Sequence, residues 1–140
     1  MKILVLNGPN LNKLGERDKN QYGSFTLNDI EQTLKDEYKE DTFEFFQSNH
    51  EGELIDIIAG APEAFDGIII NPGGYAHTSV AIRDALEICK IPKIEVHISN
   101  LAGRDDFRQQ LITAPKCNGY ISGFKIDGYI AAVFLLRRIA

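Results

Sequence analysis

Glu95-Val96-His97 places a carboxylate and an imidazole two residues apart, the spacing at which side chains share one face of an extended strand. A carboxylate so placed orients or charges the ring, which makes it a general acid. A second group of reactive side chains follows three β-branched residues, in Ile68-Ile69-Ile70-Asn71-Pro72-Gly73-Gly74-Tyr75-Ala76-His77-Thr78-Ser79. It offers an amide at Asn71, an imidazole at His77 and two hydroxyls. A third group lies near the N-terminus, where Asn10 precedes Arg17 and Tyr22 in a polar stretch with glycines at 8, 15 and 23. A phenol ionises near pH 10, so it works as a base near neutrality only where roughly 4 kcal/mol favours the phenolate. A nearby cation supplies that, and Arg17 is the candidate on the same segment. Asparagine amides hold a water or an oxyanion without adding charge. Arg104 and Arg108, four residues apart, and the amides of a helix start suit a carboxylate. Such a set suits proton abstraction next to a carbonyl with loss of hydroxide, on a small polyhydroxy acid.

Other chemistries lack their residues. There is no G-x-S-x-G elbow, and neither Cys89 nor Cys117 has a nearby histidine or a metal-ligand spacing. The turn from Gly8 to Gly15 is neither a P-loop nor G-x-G-x-x-G, and it lacks the hydroxyl-rich loop a flavodoxin uses for phosphate. Strands one and three end in Asn rather than acid, which disfavours a phosphoreceiver. Glu95, His97 and His77 match no recognised metal spacing. No metal and no organic cofactor are therefore expected. A formal charge of −5 disfavours nucleic acid. Composition, at 44% hydrophobic and 25% charged residues, is that of a soluble globular domain. Met1 leads straight into a strand, leaving no signal peptide, and the apolar run from Tyr129 to Leu136 is too short for a bilayer. With two unframed cysteines, these point to the cytoplasm and to no membrane partner.

The elements that must position these groups alternate strand and helix five times. Strands are expected at Lys2–Asn7, Thr42–Gln47, around Ile68–Ile70, at Lys93–His97 and within Cys117–Ser122. Thr26-x-x-Asp29 opens a helix to about Glu40, and Ser48-x-x-Glu51 caps another that ends near Gly60-Ala61-Pro62. His77 to Ser79 begin a helix to about Lys90, Gly103 to Arg108 begin a short one, and Asp127–Ile139 close the chain. On strand four Ile94, Val96 and Ile98 point one way, and Lys93, Glu95 and His97 the other. This pattern predicts one α/β domain over residues 1–140, a doubly wound five-stranded parallel sheet in the order 2-1-3-4-5. Its ligand crevice lies outside the ends of strands one and three. Asn10, Asn71, His77, Glu95 and His97 converge there, under residues 8–24 as a lid carrying Arg17 and Tyr22. Blander readings coexist: a βα turn with capping hydroxyls, a solvated arginine face, a disordered segment 8–24.

The motifs N-G-P-N-L-N-x-L-G (7–15), R-x-x-x-x-Y-G (17–23), F-Q-S-N-H-E-G-E-L (46–54), N-P-G-G-Y-A-H-T-S-V-A-I-R-D-A (71–85) and I-E-V-H-I-S-N-x-x-x-R-x-x-F-R (94–108) resemble type II 3-dehydroquinate dehydratase across nearly the whole chain. The resemblance implies a flavodoxin-like fold and a lyase of aromatic amino-acid biosynthesis, in the shikimate pathway. It would convert 3-dehydroquinate to 3-dehydroshikimate by anti elimination through an enolate. It implies Tyr22 as the base, held by Arg17, and Asn10 as holder of the enolate-stabilising water. His97 would be the acid, oriented by Glu95. Asn71, His77 and Arg108 match residues that hold ring hydroxyls and the acid group, and Ile98 and Ser99 match the carboxylate-binding turn. Arg104 matches the second arginine of that segment. Asp84 matches an aspartate that reaches a neighbouring subunit's site, because the family assembles as a dodecamer built of trimers. Ala76 and Leu111 depart from the family's usual hydroxyl residues beside these positions. A flavin- or acid-binding protein of the same fold is the other reading, and a yellow purified protein would favour it.

Overall fold

Alternation along the strands decides which helix layer each side chain meets, and the computed structural model describes this for all of residues 1–140. Strands β1 (Lys2–Asn7), β2 (Thr42–Gln47), β3 (Gly67–Asn71), β4 (Lys93–His97) and β5 (Gly119–Ser122) form one parallel sheet in the order β2-β1-β3-β4-β5. This is the expected flavodoxin-like arrangement. Ile3, Val5, Ile69, Ile94 and Val96 face helices α2 (Leu27–Glu37) and α5 (Asp127–Ile139), packing on Ile30, Leu34, Tyr129, Val133 and Leu136. Leu4, Leu6, Ile68 and Ile70 face α3 (Glu51–Ala64) and α4 (Val80–Ile88), packing on Leu54, Ile58, Ile82 and Leu86. Every residue of β3 and β4 is buried, and each large apolar side chain among them contributes about 1.5–3 kcal/mol. No helix is long and apolar enough to cross a membrane.

The helix ends follow local chemistry, with three corrections to the expected boundaries. The capping box of α2 forms: Thr26 Oγ1 accepts from Asp29 N at 3.2 Å and Asp29 Oδ2 from Thr26 N at 2.8 Å. Ser48 does not cap α3. It is buried at the end of β2, where its Oγ accepts from His50 N at 3.0 Å, and His50 occupies the cap position without a side-chain bond. Helix α3 also runs through Pro62 to Ala64: the proline withholds its own ladder N–H, yet the helix continues beyond it, with Phe65 N still donating to Ala61 O at 2.9 Å. Finally, a 3-10 turn at Gly73–His77 precedes α4, so His77 is not in the helix. Ser79 caps α4 instead, accepting from Ile82 N at 2.9 Å.

Candidate active site

Asn7 and Asn71 are register partners where β1 and β3 end, and the turns that follow interlock. Gly8 N donates to Asn71 O at 2.8 Å, and a Cβ on Gly8 would meet the Pro72 carbonyl oxygen at 2.5 Å. A Cβ on Gly73, which sits at φ +60°, would meet the Pro9 carbonyl oxygen at 3.0 Å. This contact fixes the crevice floor. The Asn71 amide is oriented from both ends: Nδ2 donates to Tyr129 Oη at 3.1 Å and Oδ1 accepts from Gly73 N at 3.1 Å. Tyr129 Oη donates to Asn7 Oδ1 at 2.6 Å. Burial pushes the Tyr129 phenol well above its ordinary pKa, so it remains a hydroxyl.

Asn10 sits in the left-handed region at φ +67°, which asparagine tolerates better than most residues. Its N–H donates to Asn49 Oδ1 at 3.0 Å. Gln47 Nε2 donates to both Gly8 O and Asn49 Oδ1 at 3.1 Å, and Tyr75 Oη donates to Asn49 O at 3.0 Å. The F-Q-S-N motif thus buttresses the Asn10 turn from β2.

Residues 8–24 fold against the body of the domain. A 3-10 turn at Leu11–Lys13 leads to a short helix, α1 (Lys19–Tyr22), and Leu11, Leu14 and Tyr22 join the core on the α2 and α5 face. The Tyr22 hydroxyl oxygen accepts from Arg17 Nη2 at 2.8 Å and from Arg104 Nη1 at 2.6 Å. The Arg17 guanidinium also stacks 3.9 Å from the centroid of the tyrosine ring. Arg104 donates to Ser99 Oγ as well, at 3.1 Å. The expected helix over 103–108 is instead two 3-10 turns, Leu101–Gly103 and Asp106–Gln109, with Arg104 extended between them. Gly103 and the Asp105-Asp106 pair favour turns over a helix interior. Arg104 and Arg108 therefore share the cavity without sharing a helix face. Arg108 Nε is buried and makes no hydrogen bond; its nearest carboxylate oxygen, on Asp105, is 4.0 Å away.

Two imidazoles complete the lining, their centroids 6.3 Å apart. His97 Nε2 lies 2.6 Å from Glu95 Oε1, and Glu95 Oε2 accepts from Thr113 Oγ1 at 2.7 Å. An ionised carboxylate only accepts, so Nε2 carries a hydrogen. His77 Nδ1 lies 2.9 Å from the carbonyl of Gln110, so it too carries a hydrogen, and the neutral ring keeps Nε2 as an acceptor. Burial is the largest cause that lowers the His77 pKa below its usual value; the Gln110 bond opposes it, and His97 and Arg108 reinforce it.

One cavity gathers most of the expected residues: Asn10, Arg17, Tyr22, Asn71, His77, His97, Ile98, Ser99 and Arg108 line it, with Arg104 beside them. No acidic side chain and no lysine is in the lining. Glu95 lies beneath it, fully buried. Gly73 and Gly74 line it, but the first turn of α4 does not, and Thr78 and Ser79 make structural bonds instead. Asp84 is elsewhere, exposed on α4 among Ile55, Ala59, Ala81, Ala85 and Ile88. Ala76 is buried, its carbonyl accepting from Ile112 N at 2.8 Å. Sequence reasoning missed the Arg104 bond to Tyr22, and also Thr113, Tyr129, Asn49 and the Gln110 carbonyl. A phenol in the apolar Tyr129–Leu136 run was the one available signal, since a buried tyrosine needs a hydrogen-bond partner.

A doubly wound domain that holds a phenol under two guanidiniums, and a carboxylate-backed imidazole in the same acid-free cavity, is built for acid–base work on a small anion. Comparison with known proteins agrees. The family model described as Dehydroquinase class II matches residues 1–137. A 3-dehydroquinate dehydratase from Thermotoga neapolitana is 53% identical, over 100% of this chain and 97% of its own, and one from Clostridium perfringens is 52% identical over 98% and 97%. The crystal structure of a type II dehydroquinase from Butyrivibrio crossotus superposes with a TM-score of 0.95 at 50% identity, covering 98% of this chain and 97% of that one. The chain belongs to the class II dehydroquinase family.

Proposed function

We propose that this chain dehydrates 3-dehydroquinate to 3-dehydroshikimate by anti elimination through an enolate, within the shikimate pathway. The observation that carries the reading is the pair of guanidinium donors on the Tyr22 oxygen. Two charge-assisted bonds hold the Tyr22 oxygen, the atom that takes the proton, at a fixed place over the cavity. Tyr22 removes a proton from C2, and the electron pair moves onto the carbonyl oxygen to give the enolate. A water held by Asn10 stabilises that oxygen. The enolate then collapses, the C1–O bond breaks, and His97 gives the departing hydroxyl its proton from Nδ1, the nitrogen opposite Glu95. Water leaves, and the proton taken by Tyr22 returns to His97 through solvent. Asn71 and His77 hold ring hydroxyls, while Arg108 with Ile98 and Ser99 takes the carboxylate.

These steps use side chains and water, with no metal or organic cofactor. The active form is a dodecamer built of trimers in the cytoplasm, with Asp84 reaching a neighbour's site. Incubation with 3-dehydroquinate, followed by the ultraviolet absorbance of the conjugated product, tests the reading. Absorbance rising no faster than in an enzyme-free control would sink it.

A further inference from the structure

Glu95 is fully buried, and its two carboxylate oxygens have one donor each: His97 Nε2 on Oε1 and Thr113 Oγ1 on Oε2. Thr113 is itself fully buried, in the segment that leads from the Arg108 turn toward β5. We propose that Thr113 is a positioning residue for the proton-donating step, acting through Glu95 to keep the shared proton on His97. The inference rests on the dehydratase reading above.

The argument starts from what a buried carboxylate needs. Taken out of water, its charge is tolerated only where hydrogen bonds replace the lost solvation. The bond from His97 satisfies one oxygen; Thr113 satisfies the other. The donor type matters as much as the bond. A lysine or arginine in that place would cancel the charge that Glu95 offers to the imidazolium. A hydroxyl stabilises the carboxylate and leaves its charge for His97. Threonine is also stiff at χ1, so the hydroxyl is held at one address and fixes the rotation of the carboxyl group. Remove it, and the less solvated carboxylate draws the proton off Nε2. His97 is then a neutral imidazole, a feeble acid toward a departing hydroxyl, although it has not moved.

The test compares wild type, Thr113→Ser and Thr113→Val with 3-dehydroquinate. Thr113→Val keeps the shape and loses the donor: kcat falls by about tenfold or more while KM stays within about threefold. Thr113→Ser keeps the hydroxyl and stays within about threefold of wild type in both. In a Glu95→Gln background, Thr113→Val should change kcat less than about twofold, since its route to His97 is gone. If Thr113→Val does not fold, as thermal unfolding would show, Thr113→Ala takes its place under the same criteria. Nitrogen-15 chemical shifts of the His97 ring give a readout independent of turnover. Nε2 is protonated in wild type and Thr113→Ser and loses proton occupancy in Thr113→Val. An unchanged Nε2 signal, or a kcat within about threefold of wild type, overturns the proposal. A wild-type enzyme inert toward 3-dehydroquinate would refute the functional reading instead, and the nitrogen shifts would still decide the role of Thr113.

Discussion

The Tyr22 oxygen receives donors from Arg17 on its own segment and from Arg104 after β4, so two distant stretches converge on one atom. Tyr22→Phe keeps the ring in the core but removes the oxygen that accepts the proton. Its kcat should fall by about 10²–10⁴-fold with KM little changed. Arg17→Ala and Arg104→Ala each remove a charged donor from the Tyr22 oxygen; kcat should fall with KM little changed. Lysine at either place should restore only part, since a point charge replaces a planar fork. If the segment only covered the site, all these variants would raise KM and spare kcat. His77 gives a second prediction at this scale. Burial favours its neutral ring, so its NMR titration midpoint should lie below the free value of about 6.5. The sign for stability follows: above pH 6.5 the ring is neutral folded and unfolded, and nothing is lost. As pH falls from 6.5 through the depressed folded value, the unfolded chain takes the proton first and stability declines. A midpoint above 6.5 would mean that the Gln110 bond outweighs burial.

At the scale of elements, the site depends on two turns pressed together at the ends of β1 and β3. Gly8→Ala would drive a methyl carbon into the Pro72 carbonyl, a backbone atom that cannot swing away. Overpacking of this kind costs about 1–3 kcal/mol, or roughly 3–12 °C in Tm for a domain of this size. Activity should fall too, because Asn10 and Asn71 ride on the displaced turns. Gly60→Ala in α3 is the control: nothing lies within 4 Å of its Cβ, and the helix gains propensity, so Tm should rise. Scanning calorimetry with kcat measurements decides, and an unshifted Gly8→Ala protein would remove the interlock argument. These turns also show what the sequence makes legible. Strand periodicity and the Thr26 capping box gave β1, β2, β4, the start of α2 and all of α5 with their observed bounds, because local chemistry decides them. The Asn49 bond to Asn10 and the Arg104 bond to Tyr22 depend on packing between distant segments. No window of residues contains those. The candidate site was legible as a list of side chains, with Glu95 and His97 on one strand face. Which donor met which acceptor was not, as Arg104, Thr113 and Tyr129 show.

For the whole molecule, the question is what the face around Asp84 meets. Asp84 stands on α4 in a patch of Ile55, Ala59, Ala81, Ala85 and Ile88, with Ile88 74% exposed and Val80 60%. A carboxylate ringed by apolar carbon is poorly arranged for an isolated chain and well arranged for one that covers the patch and delivers the acid elsewhere. In the proposed assembly that destination is a neighbour's cavity, whose lining has three arginines and no acid of its own. The two contributions can be separated. Ile88→Asp puts a charge into the covered patch, so mass by light scattering should drop from twelve chains toward fewer, and activity should fall with it as each site loses its neighbour's carboxylate. Asp84→Asn removes only the charge; mass should stay at twelve chains while KM for 3-dehydroquinate rises. Twelve-chain mass in the Ile88→Asp protein would take the patch out of the interface. An Asp84→Asn enzyme with unchanged mass and unchanged KM would take this carboxylate out of the neighbour's site.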